Sequence, residues 1–206
     1  MAARMDLLLA TNNFAKVEEI RAMLSELRIT FHSLGEFTGI RPVEETGRSY
    51  VANARMKARS YAQQTGLWAL ADDSGLEVTA LDGAPGVISA RYAGAGASDR
   101  DRIGFLLSQL HRQGKDDRSA RFVCAAVLAN STDSFVRVSS GSCEGQIIDT
   151  PRGTNGFGYD PIFVPNGFNQ TFAELPAEIK NVISHRAKAL QAMRAFLREW
   201  LAEVDG

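Results

Sequence analysis

Two pairs of adjacent carboxylates are candidates for holding a divalent cation. Asp72 and Asp73 begin the segment Asp-Asp-Ser-Gly after a short apolar run, and Glu44 and Glu45 lie in the segment VEETG. Mg²⁺ takes one or two carboxylates together with substrate phosphate oxygens and water. Neighbouring carboxylates at the end of a strand would repel each other without a cation, so we expect the two pairs to build one site. A turn or helix cap for the first pair and a solvated loop for the second are the alternatives.

The segment between the first predicted strand and helix has the features of a phosphate-binding turn. Free backbone N–H groups at a helix start and the helix macrodipole both attract an anion. Lys16 falls in the first helical turn, where a cation is unfavourable unless a negative group is near, and a phosphate would supply that group. An ordinary capped helix with a solvated lysine is the alternative. The segment comprises Thr11, Asn12, Asn13, Phe14, Ala15 and Lys16.

A glycine-rich aromatic loop has residues suited to holding a flat base. Its glycines let a ligand approach the backbone closely. Phe157 offers a flat face and Asp160 offers a hydrogen-bond acceptor, although a tight turn around a core phenylalanine would use the same residues. The loop contains Gly156, Phe157, Gly158, Tyr159 and Asp160.

Cationic residues gather near the start of the last predicted helix. Lys180 precedes the segment Ser184-His185-Arg186, so two fixed cations and an imidazole lie close together in the sequence. Near a helix N-terminus they would form a site for an anion or a polar base. A charged, solvated helix start is the alternative.

The hydrophobic periodicity predicts the elements that must position these residues. Strands and helices mix without strict βαβ alternation, which favours an α/β fold with a mixed sheet. Strands are predicted over residues 6–10, 29–34, 67–71, 120–129, 135–140, 143–149 and 162–164, with a turn at 130–133. Helices are predicted from residue 14 to about residue 27, over 49–64, from Ser98 to about residue 113 and over 184–199, with a long loop over 80–97.

Composition excludes several functional classes. The chain has 206 residues, of which 45% are hydrophobic and 23% charged, close to the ordinary globular mix. Its 23 basic and 24 acidic residues give a net charge of −1, which disfavours nucleic acid as the main partner. No stretch approaches the roughly 18 apolar residues of a membrane span. Cys124 and Cys143 are typical of reduced thiols, so we expect a cytoplasmic protein with no membrane or nucleic-acid partner.

Five sequence blocks resemble one known family. They read ATNNFAKVEEI, EETGRSYVANARMKARSYA, ADDSGLEVTALDGAPGVISARYAG, FGYDPIF and ISHRAKAL, and they follow one another over nearly the whole chain. Each block alone is modestly specific, but together they are highly specific. In this combination the chain resembles the inosine triphosphate pyrophosphatase family, also called Ham1-like, whose bacterial members are dITP/XTP pyrophosphatases.

This resemblance implies a fold and an activity. The expected fold is an elongated α/β domain over residues 1–206, with two lobes around a long mixed sheet, flanking helices and an active cleft between the lobes. The expected activity is Mg²⁺-dependent hydrolysis of ITP, dITP and XTP to the monophosphate and pyrophosphate, which removes these non-standard nucleotides from the nucleotide pool. A homodimer is also expected.

The resemblance also assigns roles to residues. Asp73 matches the proton acceptor and, with Glu44, the metal-binding carboxylates, although Asp72 and Asp73 could exchange metal and base duties. Thr11, Asn13 and Lys16 would hold the triphosphate, within a substrate-binding segment that also includes Asn12, Phe14 and Ala15. The remaining substrate positions are Ser74, Phe157, Gly158, Tyr159, Asp160, Lys180, His185 and Arg186.

Two other functions are compatible with parts of the pattern. One is a Maf-like pyrophosphatase acting on other modified nucleotides, which has a similar architecture. The other is a non-catalytic nucleotide-binding module, which would tolerate the loss of Glu44 and Asp73. The FGYDP and SHR blocks favour the inosine triphosphatase group over the first, and the presence of both carboxylates favours an enzyme over the second.

Overall fold

A computed structural model describes residues 4–132 and 136–204 of the chain. The described strands are β1 (Met5–Leu9), β2 (Ile29–Ser33), β3 (Trp68–Val78), β4 (Ser119–Ala129), β5 (Val136–Ile147) and β6 (Phe163–Pro165). The described α-helices are α1 (Phe14–Leu24), α2 (Tyr50–Thr65), α3 (Asp99–Gln113), α4 (Ala177–Ile183) and α5 (His185–Val204).

All six strands belong to one mixed sheet. Their order is β2-β1-β3-β4-β5-β6. Strand β1 pairs in parallel with β2 and with β3, with Met5 opposite Ile29 and Leu7 opposite Trp68. Strand β5 pairs with β6 in the antiparallel direction. The predicted α/β class with a mixed sheet is confirmed.

The chain forms two compact units. The first contains residues 4–73, 124–132, 136–140 and 186–204, and the second contains residues 74–123 and 141–185. The predicted active cleft and the single two-lobed domain stay predictions. None of the helices in residues 4–132 and 136–204 combines the length and apolarity needed to cross a bilayer.

In the first unit, β1 is buried on both faces. Successive side chains of a strand point to opposite faces, so an uninterrupted apolar run can fill two cores at once. Leu7 and Leu9 pack in a cluster with residues of α1 and α5, whereas Leu8 and Ala10 pack in a second cluster with residues of α2. Helices α1 and α5 therefore cover one face of the sheet, and α2 covers the other.

Strand β3 extends beyond its predicted end. The predicted end at residue 71 is wrong, because β3 runs to Val78, and the alternative in which Asp72 and Asp73 belong to a turn or helix cap is wrong for the same reason. Its alternation places Leu70 in the cluster of α1 and α5, and places Ala71 in the cluster of α2. Asp72 and Asp73 continue this alternation within the strand, and cationic partners on each side compensate the burial of their charges.

The second unit has its own core. Apolar residues of β3 and α3, including Leu76, Ile103 and Leu106, pack with the aromatic rings of Phe122 and Phe163. Helix α3 begins as predicted at Ser98, whose side chain accepts a hydrogen bond from the backbone N–H of Asp101 while the Asp101 carboxylate bonds back to Ser98. This reciprocal cap fixes the start of the helix.

The remaining differences from prediction concern element ends. Strand β5 is continuous where two strands were predicted, and Asp133 and Phe135, from the predicted turn and strand, lie outside the described residues. Helix α4 was not predicted, because its seven residues follow Pro176 and carry no long apolar period. Helix α5 extends to Val204, beyond the predicted end at residue 199. The loop over 80–97 contains a short 3₁₀ segment, Gly86–Arg91.

Candidate active site

Asp72 lies at the centre of a buried group of charges on the α1 and α5 face of the sheet. Lys16 Nζ is 3.0 Å from Asp72 Oδ2, and Arg186 Nη2 and Nε donate to the same oxygen at 2.9 and 3.2 Å. The third guanidinium nitrogen, Arg186 Nη1, donates to Glu19 Oε2 at 2.5 Å. We call Lys16, Glu19, Asp72 and Arg186 the Asp72 cluster. The Asp72 and Arg186 side chains are each only 1% exposed, so this carboxylate is already held by two cations.

The electrostatics keep Asp72 ionised. Burial alone would raise its pKa, but Lys16, Arg186 and Lys57 more than offset burial and hold the pKa well below the usual range. Cys124 is close to Asp72 on the same face, with Sγ at 3.9 Å from Oδ2. Burial, with the Asp72 charge, raises the pKa of this thiol to about 12, so Cys124 is an uncharged packing residue.

Asp73 meets different partners on the α2 face. Asn53 Nδ2 donates to Asp73 Oδ2 at 3.0 Å, and Lys57 Nζ lies 3.7 Å from Asp73 Oδ1. The same ammonium donates to Glu45 Oε1 and to the backbone carbonyl of Asp72, each at 2.7 Å. The two adjacent carboxylates thus do not face each other, and each has its own cationic partner. We call Glu45, Asn53, Lys57 and Asp73 the Asp73 cluster.

Helix α2 and the turn before it position the Asp73 cluster. Asn53 and Lys57 are four residues apart, so they lie on one face of the helix. The backbone N–H of Gly47 donates to Asn53 Oδ1 at 2.8 Å, which aims the amide nitrogen of Asn53 at Asp73. A Cβ at residue 47 would lie 2.5 Å from Asn53 Oδ1 and 2.9 Å from Ala52 Cβ. Only glycine fits there without displacing Asn53.

The Asp73 carboxylate is more basic than an ordinary aspartate. Burial raises the pKa of Asp73, and this effect exceeds the opposing effects of Lys57 and Asn53. Burial would lower the pKa of Lys57, but Asp72, Asp73 and Glu45 raise it above its usual value, so the ammonium stays charged. A carboxylate with a raised pKa is a better general base near neutral pH than an ordinary aspartate. Asp73 is therefore the stronger candidate for proton transfer, and Asp72 is a structural charge.

The carboxylates of this region could supply only some of the ligands of a magnesium ion. Within residues 4–132 and 136–204 there is no ready-made group of three or more His, Cys, Asp or Glu side chains. Mg²⁺ needs only one or two carboxylates when substrate phosphates and water complete its shell, so the oxygen donors of this region suit it. Glu44 is exposed beside a groove of about 550 Å³ that Arg59 and Gln63 also line. Glu45, not Glu44, contacts Lys57, and the metal-binding role of Glu44 stays a prediction.

The predicted phosphate-binding turn forms a capped helix start. Asn13 Oδ1 accepts from the backbone N–H of Lys16 at 3.2 Å, and Thr11 Oγ1 accepts from the N–H of Asn13 at 3.1 Å. Phe14 is 86% exposed. The sequence predicts a negative group near Lys16. In the structure this group is the carboxylate of Asp72, a residue of the protein itself. Triphosphate binding by residues 11–16 stays a prediction.

In the second unit, the structure brings Phe157, Asp160 and Lys180 together. Lys180 Nζ lies 2.5 Å from Asp160 Oδ2 and 4.9 Å from the centre of the Phe157 ring. Asp160 Oδ2 also accepts from the backbone N–H of Phe157 at 2.9 Å. Gly156 has a φ of +72°, and a Cβ there would collide with the Asp160 carboxylate. The glycine therefore allows the loop to close over this ion pair.

Other residues of this loop are buried or held. The Tyr159 hydroxyl donates to the carbonyl of Ser89 at 3.1 Å, and burial raises the pKa of that phenol. The N–H of Gly158 donates to Asp99 Oδ2 at 2.7 Å. The ring of His185 stacks on Phe122 at 4.7 Å with an angle of 12° between the planes.

The predicted substrate contacts differ in accessibility. Tyr159, His185 and Arg186 are buried, whereas Ser74, Phe157 and Gly158 are half-buried. Arg186 directs all three guanidinium nitrogens to Asp72 and Glu19. Direct nucleotide contacts by these residues stay predictions.

Three residues of the two clusters, Lys57, Asn53 and Glu19, were not predicted as functional. Lys57 carried a usable signal, because it is a charged residue inside the apolar stripe of α2. Asn53 lies one turn earlier on the same face of α2, so the signal at Lys57 also points to Asn53. Glu19 carries no comparable signal in the sequence, and only its contact with Arg186 identifies it. Glu45 became distinguishable from Glu44 only through Lys57.

The chain is similar to known proteins over nearly its full length. The Ham1 family model matches residues 7–196. A dITP/XTP pyrophosphatase of Desulforamulus reducens is 49% identical over 187 residues, which are 91% of this chain and 92% of the relative. A dITP/XTP pyrophosphatase of Coxiella burnetii is 46% identical over 196 residues, which are 95% of this chain and 98% of the relative.

Solved structures agree with the sequence relatives. The structure of a HAM1 protein from Coxiella burnetii matches with a TM-score of 0.87 at 46% identity, covering 95% of this chain and 99% of that chain. The family resemblance predicted from the sequence blocks is confirmed, and the chain belongs to the Ham1 family.

Proposed function

We propose that this chain hydrolyses the non-standard purine nucleoside triphosphates ITP, dITP and XTP to the monophosphate and pyrophosphate. The observation that carries the proposal is the likeness to proteins named dITP/XTP pyrophosphatase, at 46–49% identity over more than nine-tenths of the chain. The buried, basic Asp73 in the middle of β3 supplies the chemical group that such a hydrolysis needs. Removal of these nucleotides from the nucleotide pool is the proposed role.

Asp73 is the residue assigned to the attacking water. Its carboxylate accepts the water proton as the water oxygen bonds to the α-phosphorus, and the α–β phosphoanhydride breaks to release pyrophosphate. Asn53 fixes the direction of one Asp73 oxygen, and Lys57 ties this carboxylate to the loop that carries Glu45. Lys16 attracts the phosphate groups. We assign a Mg²⁺ ion to Glu44 and Asp73, where it would neutralise phosphate charge and stabilise the leaving oxygens.

Discrimination between purines is assigned to hydrogen-bond donors near the aromatic loop. Inosine and xanthine have a 6-oxo acceptor where adenine has a 6-amino donor, so donors that pair with the oxo group are left unpaired by adenine. Sites of this kind discriminate on the order of 10⁴-fold. Phe157 offers a ring face, and the cation of Lys180 and the imidazole of His185 lie in the same unit.

We also propose a homodimer that acts in the cytoplasm. The family resemblance supports the dimer. Neither Cys124 nor Cys143 forms a disulfide, and both are buried, which is typical of proteins in a reducing compartment. Sedimentation equilibrium of the full chain tests the oligomeric state.

Pyrophosphate release tests the proposed function directly. With Mg²⁺, the purified chain should release pyrophosphate from dITP and XTP but not from dATP. Equal release from dITP and dATP would contradict the assigned specificity. Binding of dITP without any hydrolysis would instead identify a nucleotide-binding module.

A further inference from the structure

We propose that Asp99, the first residue of α3, is a positioning residue for recognition of the base, because it fixes the backbone on one side of Phe157. This inference rests on the proposed function, since it specifies how the aromatic loop is kept in shape for a purine. Asp99 acts through the amide of Gly158, which lies 59 residues further along the chain in the same unit.

Phe157 lies between two glycines with left-handed backbone angles. Gly156 has a φ of +72° and Gly158 has a φ of +63°. Glycine populates many backbone conformations, so the local sequence alone does not fix the direction of the ring between them. Hydrogen bonds to the amides on each side of Phe157 must therefore set its position.

Two carboxylates hold these two amides. The N–H of Phe157 donates to Asp160 Oδ2 at 2.9 Å, and the N–H of Gly158 donates to Asp99 Oδ2 at 2.7 Å. Asp160 belongs to the aromatic loop itself, whereas Asp99 belongs to a helix whose apolar face packs in the core of the second unit. Asp99 thus ties the loop to a rigid element, which is what precise placement of a binding group requires.

Arg102 holds the Asp99 carboxylate in this orientation. Arg102 Nη2 pairs with Asp99 Oδ1, which directs Oδ2 to the amide of Gly158. Arg102 Nη1 donates to the carbonyls of Ala90 and Ala97 at 3.1 and 2.6 Å, and the arginine side chain is only 19% exposed. Because the guanidinium is fixed by the loop before α3, the acceptor for Gly158 is oriented before any substrate binds.

The rest of the aromatic loop has anchors of its own. The Tyr159 hydroxyl donates to the carbonyl of Ser89 at 3.1 Å, and Lys180 Nζ lies 2.5 Å from Asp160 Oδ2. These contacts do not involve Asp99. Removing the Asp99 carboxylate should therefore release the peptide between Phe157 and Gly158 without unfolding the loop.

Binding of dIMP and of inorganic tripolyphosphate separates base recognition from phosphate binding. We expect Asp99→Ala to weaken dIMP binding about tenfold, the scale for losing one hydrogen bond to a charged group. Tripolyphosphate carries no base, so its binding should be unchanged. Calorimetric titration in EDTA measures both affinities without turnover. In the presence of Mg²⁺, the same variant should raise KM for dITP by a similar factor, with kcat less affected.

Two further substitutions at the same position separate geometry from charge. Asp99→Asn keeps a side-chain oxygen at the same distance from the backbone and should retain most of the dIMP affinity. Asp99→Glu keeps the charge but moves the carboxylate by one methylene, so it should weaken dIMP binding as alanine does. If Asp99→Ala does not fold, the Glu and Asn variants decide the inference.

Asp101→Ala is the matched control. Asp101 is an exposed aspartate in the same turn of α3, and its carboxylate bonds to Ser98 at the helix cap. Its removal should destabilise the start of α3. A role of Asp99 in helix stability alone would thus be reproduced by this variant, which we expect to bind dIMP as the unsubstituted chain does.

Three outcomes would overturn the inference. They are unchanged dIMP affinity in a folded Asp99→Ala or Asp99→Glu chain, an equal loss of tripolyphosphate affinity, and an unsubstituted chain that binds no dIMP. Failure of the proposed function is distinct, because it would appear as a chain that binds dIMP but releases no pyrophosphate from dITP.

Discussion

Asp72 and Asp73 are neighbours in sequence but differ in chemical environment. Asp72 is ionised between Lys16 and Arg186, whereas burial gives Asp73 a raised pKa. The difference follows from strand geometry, since consecutive side chains of β3 point to opposite faces and meet different helices. At the scale of residues, the two carboxylates therefore differ in environment because they are consecutive in the strand and lie on opposite faces of the sheet.

The Asp73→Asn substitution tests the assigned general base. Loss of the proton acceptor should lower kcat for dITP by about 10²-fold or more, the usual scale for such a group. Steady-state pyrophosphate release measures it. Asp82→Asn is the control, because Asp82 is exposed and lies outside both clusters. Near-normal turnover by the Asp73 variant would contradict the assignment of Asp73 as the general base.

The Gly47→Ala substitution tests the orientation of Asn53. A methyl group at residue 47 displaces Asn53 and hence its hydrogen bond to Asp73. A misplaced catalytic group costs on the order of 10- to 10²-fold in rate, so we expect a lower kcat for dITP with a smaller change in KM.

Gly35→Ala is the control for that substitution. A Cβ at Gly35 meets nothing within 4 Å, so its rate should be unchanged. Equal kcat values for the two alanine variants would show that Asn53 has no positioning role.

At the scale of elements, the β1–β2 edge contains a titratable link. His32 Nε2 lies 2.9 Å from Asp6 Oδ1, and His32 Nδ1 lies 2.9 Å from Glu36 Oε2. Asp6 first, and then Glu36, raise the pKa of His32 above its ordinary value. The backbone N–H of Ser33 first, and then His32 and the Ser33 hydroxyl, lower the pKa of Glu36 to about 2. The imidazolium thus joins β1, β2 and the turn after β2.

The sign of the pH dependence follows from the raised pKa of His32. The contribution of protonated His32 to the free energy of unfolding is fully present below the pKa of histidine in the unfolded chain, about 6.5. It is lost as pH rises through the higher pKa of His32 in the folded protein. His32→Gln should therefore lower the free energy of unfolding more at pH 5.5 than at pH 9. Urea unfolding at both pH values measures the difference. A deficit that grows with pH would contradict the assignment.

At the scale of the whole molecule, the metal is assigned to catalysis and not to folding. The described residues have apolar cores in each unit and no preassembled group of three metal-ligating side chains. Removing divalent cations with EDTA should therefore abolish pyrophosphate release while leaving the midpoint of thermal unfolding within about 2 °C. Added Mg²⁺ should restore the activity. A large drop in the unfolding midpoint in EDTA would mean that the metal contributes to the fold.

Much of the molecule follows from local sequence. The apolar run over residues 6–10 predicts a strand, and Asn13 and Ser98 predict two helix starts that the structure confirms. Periodicity locates α2 and α3 to within a residue or two. The ordered sequence blocks identify the family and, with it, the segments that carry the candidate site. The predicted strands and helices depend only on residues that lie within about one helical turn or one strand of each other.

What only the tertiary structure decided is which side chains meet. The sequence predicted that β3 ends at residue 71, whereas β3 continues through Asp72 and Asp73 because Lys16, Lys57 and Arg186 compensate the buried charges. Arg186 is 114 residues from Asp72, so no local pattern could predict their ion pair. The partner of a buried charge is set by the packing of distant elements, and the roles of Arg186 and Asp72 are therefore properties of the fold.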